Sequence, residues 1–122
     1  TLFRSEQLPV KVEAFTKALE PIKSLKHVKE VRQRGLIVGI ELEKNVATHE
    51  AYRPNDAVGA KVAILAREQG LICRPIGDVV ILMPPLASTV EQLEDMVHIV
   101  GESIQRATEE EGILEDMRPI IL

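Results

Sequence analysis

Arg74 is the side chain in this sequence best suited to hold a ligand by its chemistry. It closes the apolar run Leu71-Ile72-Cys73 and is followed by Pro75, Ile76 and a Gly77-Asp78 turn. A second apolar run, Val79 to Met83, ends at Pro84-Pro85. A guanidinium presents a planar fork of donors that matches a carboxylate in two parallel hydrogen bonds. The role is binding, because no acid, base or nucleophile stands near it in sequence. A surface or interdomain salt bridge is the alternative use of such an arginine. No catalytic residue is assigned within the chain.

The neighbouring groups read more plainly. Alternation along a strand sends Cys73 to the face opposite Arg74, where a small thiol packs as a core residue. Pro75 fixes the backbone after the arginine, Gly77 permits a tight turn, and Asp78 caps that turn. His27, His49 and His98 are scattered without ligand spacing, so no metal site is expected. Glu41 and Glu43 lie two apart on one strand. Such a pair can do acid–base work, but a solvated strand edge accounts for it. Glu109 to Glu111 read as a solvated helix end.

Seven elements must position Arg74, in the order helix, two strands, helix, two strands, helix. Leu8, Val12, Phe15, Leu19 and Ile22 recur at helical spacing, with a break expected at Pro21. His27 to Gln33 reads as a short edge strand. After an Arg34-Gly35 turn, Leu36 to Leu42 reads as a strand buried on both faces. Lys44 to Arg53 is polar loop. Pro54 to Gln69 reads as a helix capped by Asn55 or Asp56, with Val58, Val62, Leu65 and Gln69 on one face and Gly70 past its end. Leu71 to Arg74 and Val79 to Leu82 form a hairpin across Pro75 to Asp78. Ser88 opens the last helix, with Glu91 at capping-box spacing. Val90, Leu93, Val97, Val100 and Ile104 form its stripe, and fraying is expected after Thr108. The pattern predicts an α/β fold (an α+β two-layer sandwich), with a small, mostly antiparallel sheet and helices on one face. Residues 1–108 make the domain, and 109–122 form a tail without assigned structure.

The bulk composition narrows the class. The chain has 122 residues, 45% of them hydrophobic and 28% charged, which suits one soluble domain. A net charge of −4 with scattered cations argues against nucleic acid or an anionic membrane as partner. No apolar run approaches the roughly 20 residues that span a bilayer. One cysteine cannot form an internal disulfide, which fits a reducing cytoplasm. No signal-peptide pattern opens the chain, and a start without Met suggests a piece of something longer.

Two segments carry a family resemblance. His27 to Leu42 is similar to the HV-x-(D/E)-VR-x-x-GL-x-x-GIEL segment of class III pyridoxal-phosphate aminotransferases. Gly70 to Pro75 and Gly77 to Leu86 resemble that family's closing segment. The match runs over about residues 8–108 and implies the C-terminal, small domain of a fold-type I aminotransferase. It implies a large domain elsewhere in the polypeptide that carries the Schiff-base lysine and binds pyridoxal 5'-phosphate, so this piece alone is expected to be inactive. It also implies a homodimer acting on small keto acids and amines. Many members that bind α-amino acids carry an arginine where this chain has Ile81. The form seen here resembles instead the biotin-synthesis branch, which converts 8-amino-7-oxononanoate to 7,8-diaminononanoate. There the arginine matching Arg74 holds the distant carboxylate. The ω-amino acid–pyruvate aminotransferases share the Arg-x-x-Gly-Asp spacing and are one alternative. A non-catalytic regulatory module that binds a small acidic ligand is another.

Overall fold

A computed structural model of the chain describes residues 2–109. Three helices, α1 (Leu2–Lys23), α2 (Val58–Glu68) and α3 (Val90–Glu109), cover one face of a sheet built from β1 (Val28–Arg34), β2 (Ile37–Leu42), β3 (Arg74–Ile76) and β4 (Val79–Leu82). The sheet is antiparallel throughout, in the order β1-β2-β4-β3. The two-layer arrangement follows from alternation. Val38, Ile40, Leu42, Val80 and Leu82 turn inward and meet Phe15, Leu19, Val62, Leu65, Leu93 and Ile104 from the helices. Each such side chain, fully buried, contributes about 1.5–3 kcal/mol.

Several element boundaries move from the sequence expectation. Pro21 does not break α1, which continues to Lys23. The proline falls in the last turn, where Ser24 N and Leu25 N already donate to the carbonyls three residues back. The second helix is split. Pro54–Asp56 is a single 3-10 turn, and Ala57, in the left-handed region at φ 46°, redirects the chain into α2. Asp56 caps that short turn, accepting from Arg53 N at 3.1 Å, and α2 has no side-chain cap. Gln69 ends α2 exposed and does not extend the buried stripe.

The last helix is capped one residue later than the Ser88 spacing suggests. Thr89 N donates to Gln92 Oε1 at 2.9 Å, and Gln92 N donates to Thr89 Oγ1 at 3.1 Å. This reciprocal pair is the capping box, while Ser88 is buried behind it. The helix runs to Glu109, and the tail 110–122 lies outside the described residues.

β2 is not buried on both faces. Its residues alternate, with Val38, Ile40 and Leu42 inside and Ile37 exposed. The sheet therefore keeps one open face among the described residues. β3 begins only at Arg74, and the hairpin turn is Gly77-Asp78. Leu71 and Cys73 are buried but precede the ladder. Pro75 is accommodated opposite Val80 because β3 is an edge strand.

Candidate functional site

Arg74 is placed by register. It pairs with Ile81, Ile81 pairs with Gly39, and Gly39 pairs with Arg32. Directly paired residues of an antiparallel ladder present their side chains on the same face. One row therefore crosses the open face in the order Arg32, Gly39, Ile81, Arg74. The next row holds Glu30, Glu41, Val79 and Ile76. Strand spacing sets Arg32 and Arg74 about 14 Å apart at the backbone.

The middle of this face is apolar and uncovered. Ile37 and Ile76 are each 53% exposed, Met83 57% and Ile72 78%. The missing side chain at Gly39 opens a groove of about 430 Å³ between Arg32, Arg34 and Ile37 on one side and Val79 and Ile81 on the other. A contiguous apolar patch with a charged rim marks a surface that meets something else.

The charges on the β1 side neutralise one another. Arg32 Nη2 lies 3.2 Å from Glu41 Oε1, and its Nη1 lies 3.7 Å from Glu30. Lys29 Nζ lies 3.5 Å from Glu41 and 3.6 Å from Glu43. Glu41 first, then Glu43, holds the Lys29 ammonium above its ordinary value. Arg74, at the other end of the row, is exposed, and among the described residues it forms none of the ion pairs. Its fork has no carboxylate partner among the described residues.

Cys73 turns away from this face, as alternation requires, and is buried and unpaired with any other cysteine. Burial pushes its thiol up to about 11. Asp78 serves the turn through its backbone, its carbonyl accepting from Leu42 N at 2.8 Å. Burial, then Glu41 and Asp56, raises its carboxyl above the usual range.

The two neighbouring carboxylates, Glu41 on β2 and Glu43 just after it, part company. Glu41 is on the open face. Glu43 is not a solvated edge group but is only 4% exposed, held between Lys29 and His49 Nδ1 at 3.4 Å. His27 uses its Nδ1 on the Glu43 carbonyl at 3.2 Å, and His98 is exposed on α3. No group of three metal-ligating side chains occurs among the described residues. Sequence reasoning passed over Tyr52, whose hydroxyl is buried without a hydrogen-bond partner among the described residues. Burial, then Asp56 and Asp78, raises that hydroxyl to about 12.

Comparison with known proteins decides the family. The model described as aminotransferase class-III matches residues 5–104. The chain belongs to the class III aminotransferases. It is 43% identical over 107 residues to the adenosylmethionine-8-amino-7-oxononanoate aminotransferase of Anoxybacillus flavithermus, covering 88% of this chain and 24% of that protein. The crystal structure of the enzyme of the same name from Methanocaldococcus jannaschii is 40% identical, with a TM-score of 0.80 over 83% of this chain and 23% of that one. An aminotransferase of Vibrio fluvialis in its PMP-bound form is 26% identical, with a TM-score of 0.82 over 88% of this chain and 24% of that one. This class III segment thus spans about a quarter of the length of such relatives.

The family's cofactor does not fit the residues described here. Lys17, Lys23, Lys29 and Lys44 are paired with Glu13, Glu20, Glu41 and Glu50, and Lys11 donates to Leu86 O. Lys61 is buried in α2 and has a partner. Lys26 stands in the turn before β1, on no strand. None is placed as a Schiff-base lysine opposite Arg74.

Proposed function

We propose that residues 1–108 are the small domain of an aminotransferase that converts 8-amino-7-oxononanoate to 7,8-diaminononanoate in biotin synthesis. Its share of the reaction is to position substrate. The observation that carries this reading is Arg74, without a carboxylate partner among the described residues, at the end of a row whose middle, Gly39 and Ile81, is apolar. The fork would take the carboxylate, and Ile81 and Ile76 beside it would take the alkyl chain. Pyridoxal 5'-phosphate and the amino transfer would belong to the rest of the polypeptide, packed on the open sheet face. The intact protein would be a homodimer. A lone buried thiol supports a reducing, cytoplasmic location.

Identity favours the biotin branch over the ω-amino acid aminotransferases: 40% to the Methanocaldococcus enzyme against 26% to the Vibrio one. Ile81 supports the same choice, since it offers no second cation for an α-carboxylate. The family match speaks against a stand-alone regulatory module.

The test is Arg74→Ala in the complete enzyme. Charge-assisted hydrogen bonds to a desolvated carboxylate contribute about 1.5–3 kcal/mol. KM for 8-amino-7-oxononanoate should therefore rise about 10- to 150-fold, with pyridoxal-phosphate affinity unchanged. Equal loss of both would overturn the reading.

A further inference from the structure

We infer that Gly59, on the first turn of α2, is a positioning residue that sets where Arg74 sits. This rests on the reading of Arg74 as the carboxylate anchor. Helix preference does not explain a glycine at this site, since alanine there would ordinarily be favoured by about 0.5–1 kcal/mol. Packing does. Gly59 is buried, and a Cβ on it would run into the carbonyl oxygen of Gly77 and meet Pro75 Cβ at 3.5 Å. Both contacts belong to the hairpin that carries Arg74. The bare Cα of Gly59 is thus the seat on which that hairpin rests.

The seat governs the arginine because β3 has a single strand neighbour and rests on α2. β3 has three residues, all exposed, and lies at the sheet edge with β4 as its partner. The obstacle to a larger residue is backbone, which cannot rotate aside as a side chain can. Pro75 locks φ directly after Arg74, and Gly77 holds the turn at φ 58°. The stretch Arg74 to Gly77 therefore moves as a piece when its seat is raised. On the other side of the contact, Ala57 at φ 46° fixes the direction from which α2 enters, and Lys61 N donates to the Ala57 carbonyl at 3.1 Å. The helix is the firmer partner, because Val58, Val62 and Leu65 anchor it in the core. The hairpin is the part that shifts.

The experiment is Gly59→Ala in the complete enzyme, with the two half-reactions followed separately. KM for 8-amino-7-oxononanoate should rise about tenfold or more, since a displacement near 1 Å can cost up to 10²-fold. The half-reaction with an amine donor that carries no carboxylate, which cannot use the Arg74 contact, should stay within twofold. In an Arg74→Ala background the same change should add nothing to KM. Parallel loss of both half-reactions, or an unchanged KM, overturns the inference. If Arg74→Ala itself leaves KM unmoved, the reading of the site has failed instead. Should Gly59→Ala not accumulate as folded enzyme, Pro75→Ala loosens the same seat from the exposed side. It should raise that KM severalfold with the amine half-reaction intact, and an unchanged KM there overturns the inference equally.

Discussion

Under the proposed function, replacing Ile81 with arginine in the complete enzyme should shift its preference from a long-chain keto acid toward an α-keto acid. Ile81 is the direct cross-strand partner of Arg74, so the two Cβ atoms stand about 5 Å apart. A second guanidinium there would offer a carboxylate site nearer the middle of the face. For 2-oxoglutarate the added contact contributes about 1.5–3 kcal/mol. For 8-amino-7-oxononanoate the substitution removes apolar cover from the alkyl chain, a loss of about 1–2 kcal/mol. Repulsion between the two cations, about 1 kcal/mol at ~6 Å in a mostly aqueous dielectric, is relieved by whichever acid carries two carboxylates. The combined change in discrimination is about 2.5–5 kcal/mol, or roughly 10²- to several 10³-fold in the ratio of kcat/KM values. The assay is competition between the two acceptors with one amine donor. Ile81 lies on the open face, so the variant should fold as the parent does. A folded Ile81→Arg enzyme with an unmoved ratio would show that this row does not face the substrate.

Two further outcomes test the local physics. Thr89→Ala removes one half of the capping box and should cost about 1 kcal/mol of stability, seen as a lower Tm, while Ser88→Ala leaves the box intact; a larger effect at Ser88 than at Thr89 in the capping bonds' contribution to helix α3 would refute the assignment. Burial lifts the Cys73 thiol from 9.0 to about 11, so the folded chain keeps a proton that the unfolded chain has lost. The stability this contributes is whole below pH 9 and falls away as pH rises toward 11. Iodoacetamide at pH 8.5 should label Cys73 far more slowly in folded than in urea-unfolded protein, and equal rates would refute its burial.

The sequence carried the helices and lost the rows. The stripe from Leu93 to Ile104 is readable because four-and-three spacing leaves one face apolar, and α3 buries that face. The capping box slipped by one residue because Ser88 and Thr89 are both good caps, and only Gln92 decides between them. β2 misled for a physical reason. Two of its three outward residues, Ile37 and Gly39, carry no charge, so composition hid an alternation that only Glu41 marks. That same apolar outer face is what a surface awaiting another part of the polypeptide needs. The Arg74 strand misled differently. Leu71 and Cys73 are buried, which looks like a strand, yet the ladder starts where burial stops. β3 can be short and exposed because its order comes from one strand neighbour and from α2 beneath it.

The decisive geometry lay in pairings between distant parts of the chain. β2 and β4 are neighbours in the sheet although α2 and β3 separate them in sequence. Only that crossover brings Gly39 beside Ile81 and lines Arg32 up with Arg74. Local patterns predict each strand, but register between non-consecutive strands is settled by how α2 and α3 fill the space behind the sheet. Arg74 could thus be singled out from residue chemistry alone, while its apolar company could not. The same holds for Gly59, whose contact with Gly77 crosses from a helix to a hairpin. Under the proposed reading, an arginine on an exposed three-residue strand holds a carboxylate accurately only if something rigid seats that strand, and the proposed seat is a glycine on α2.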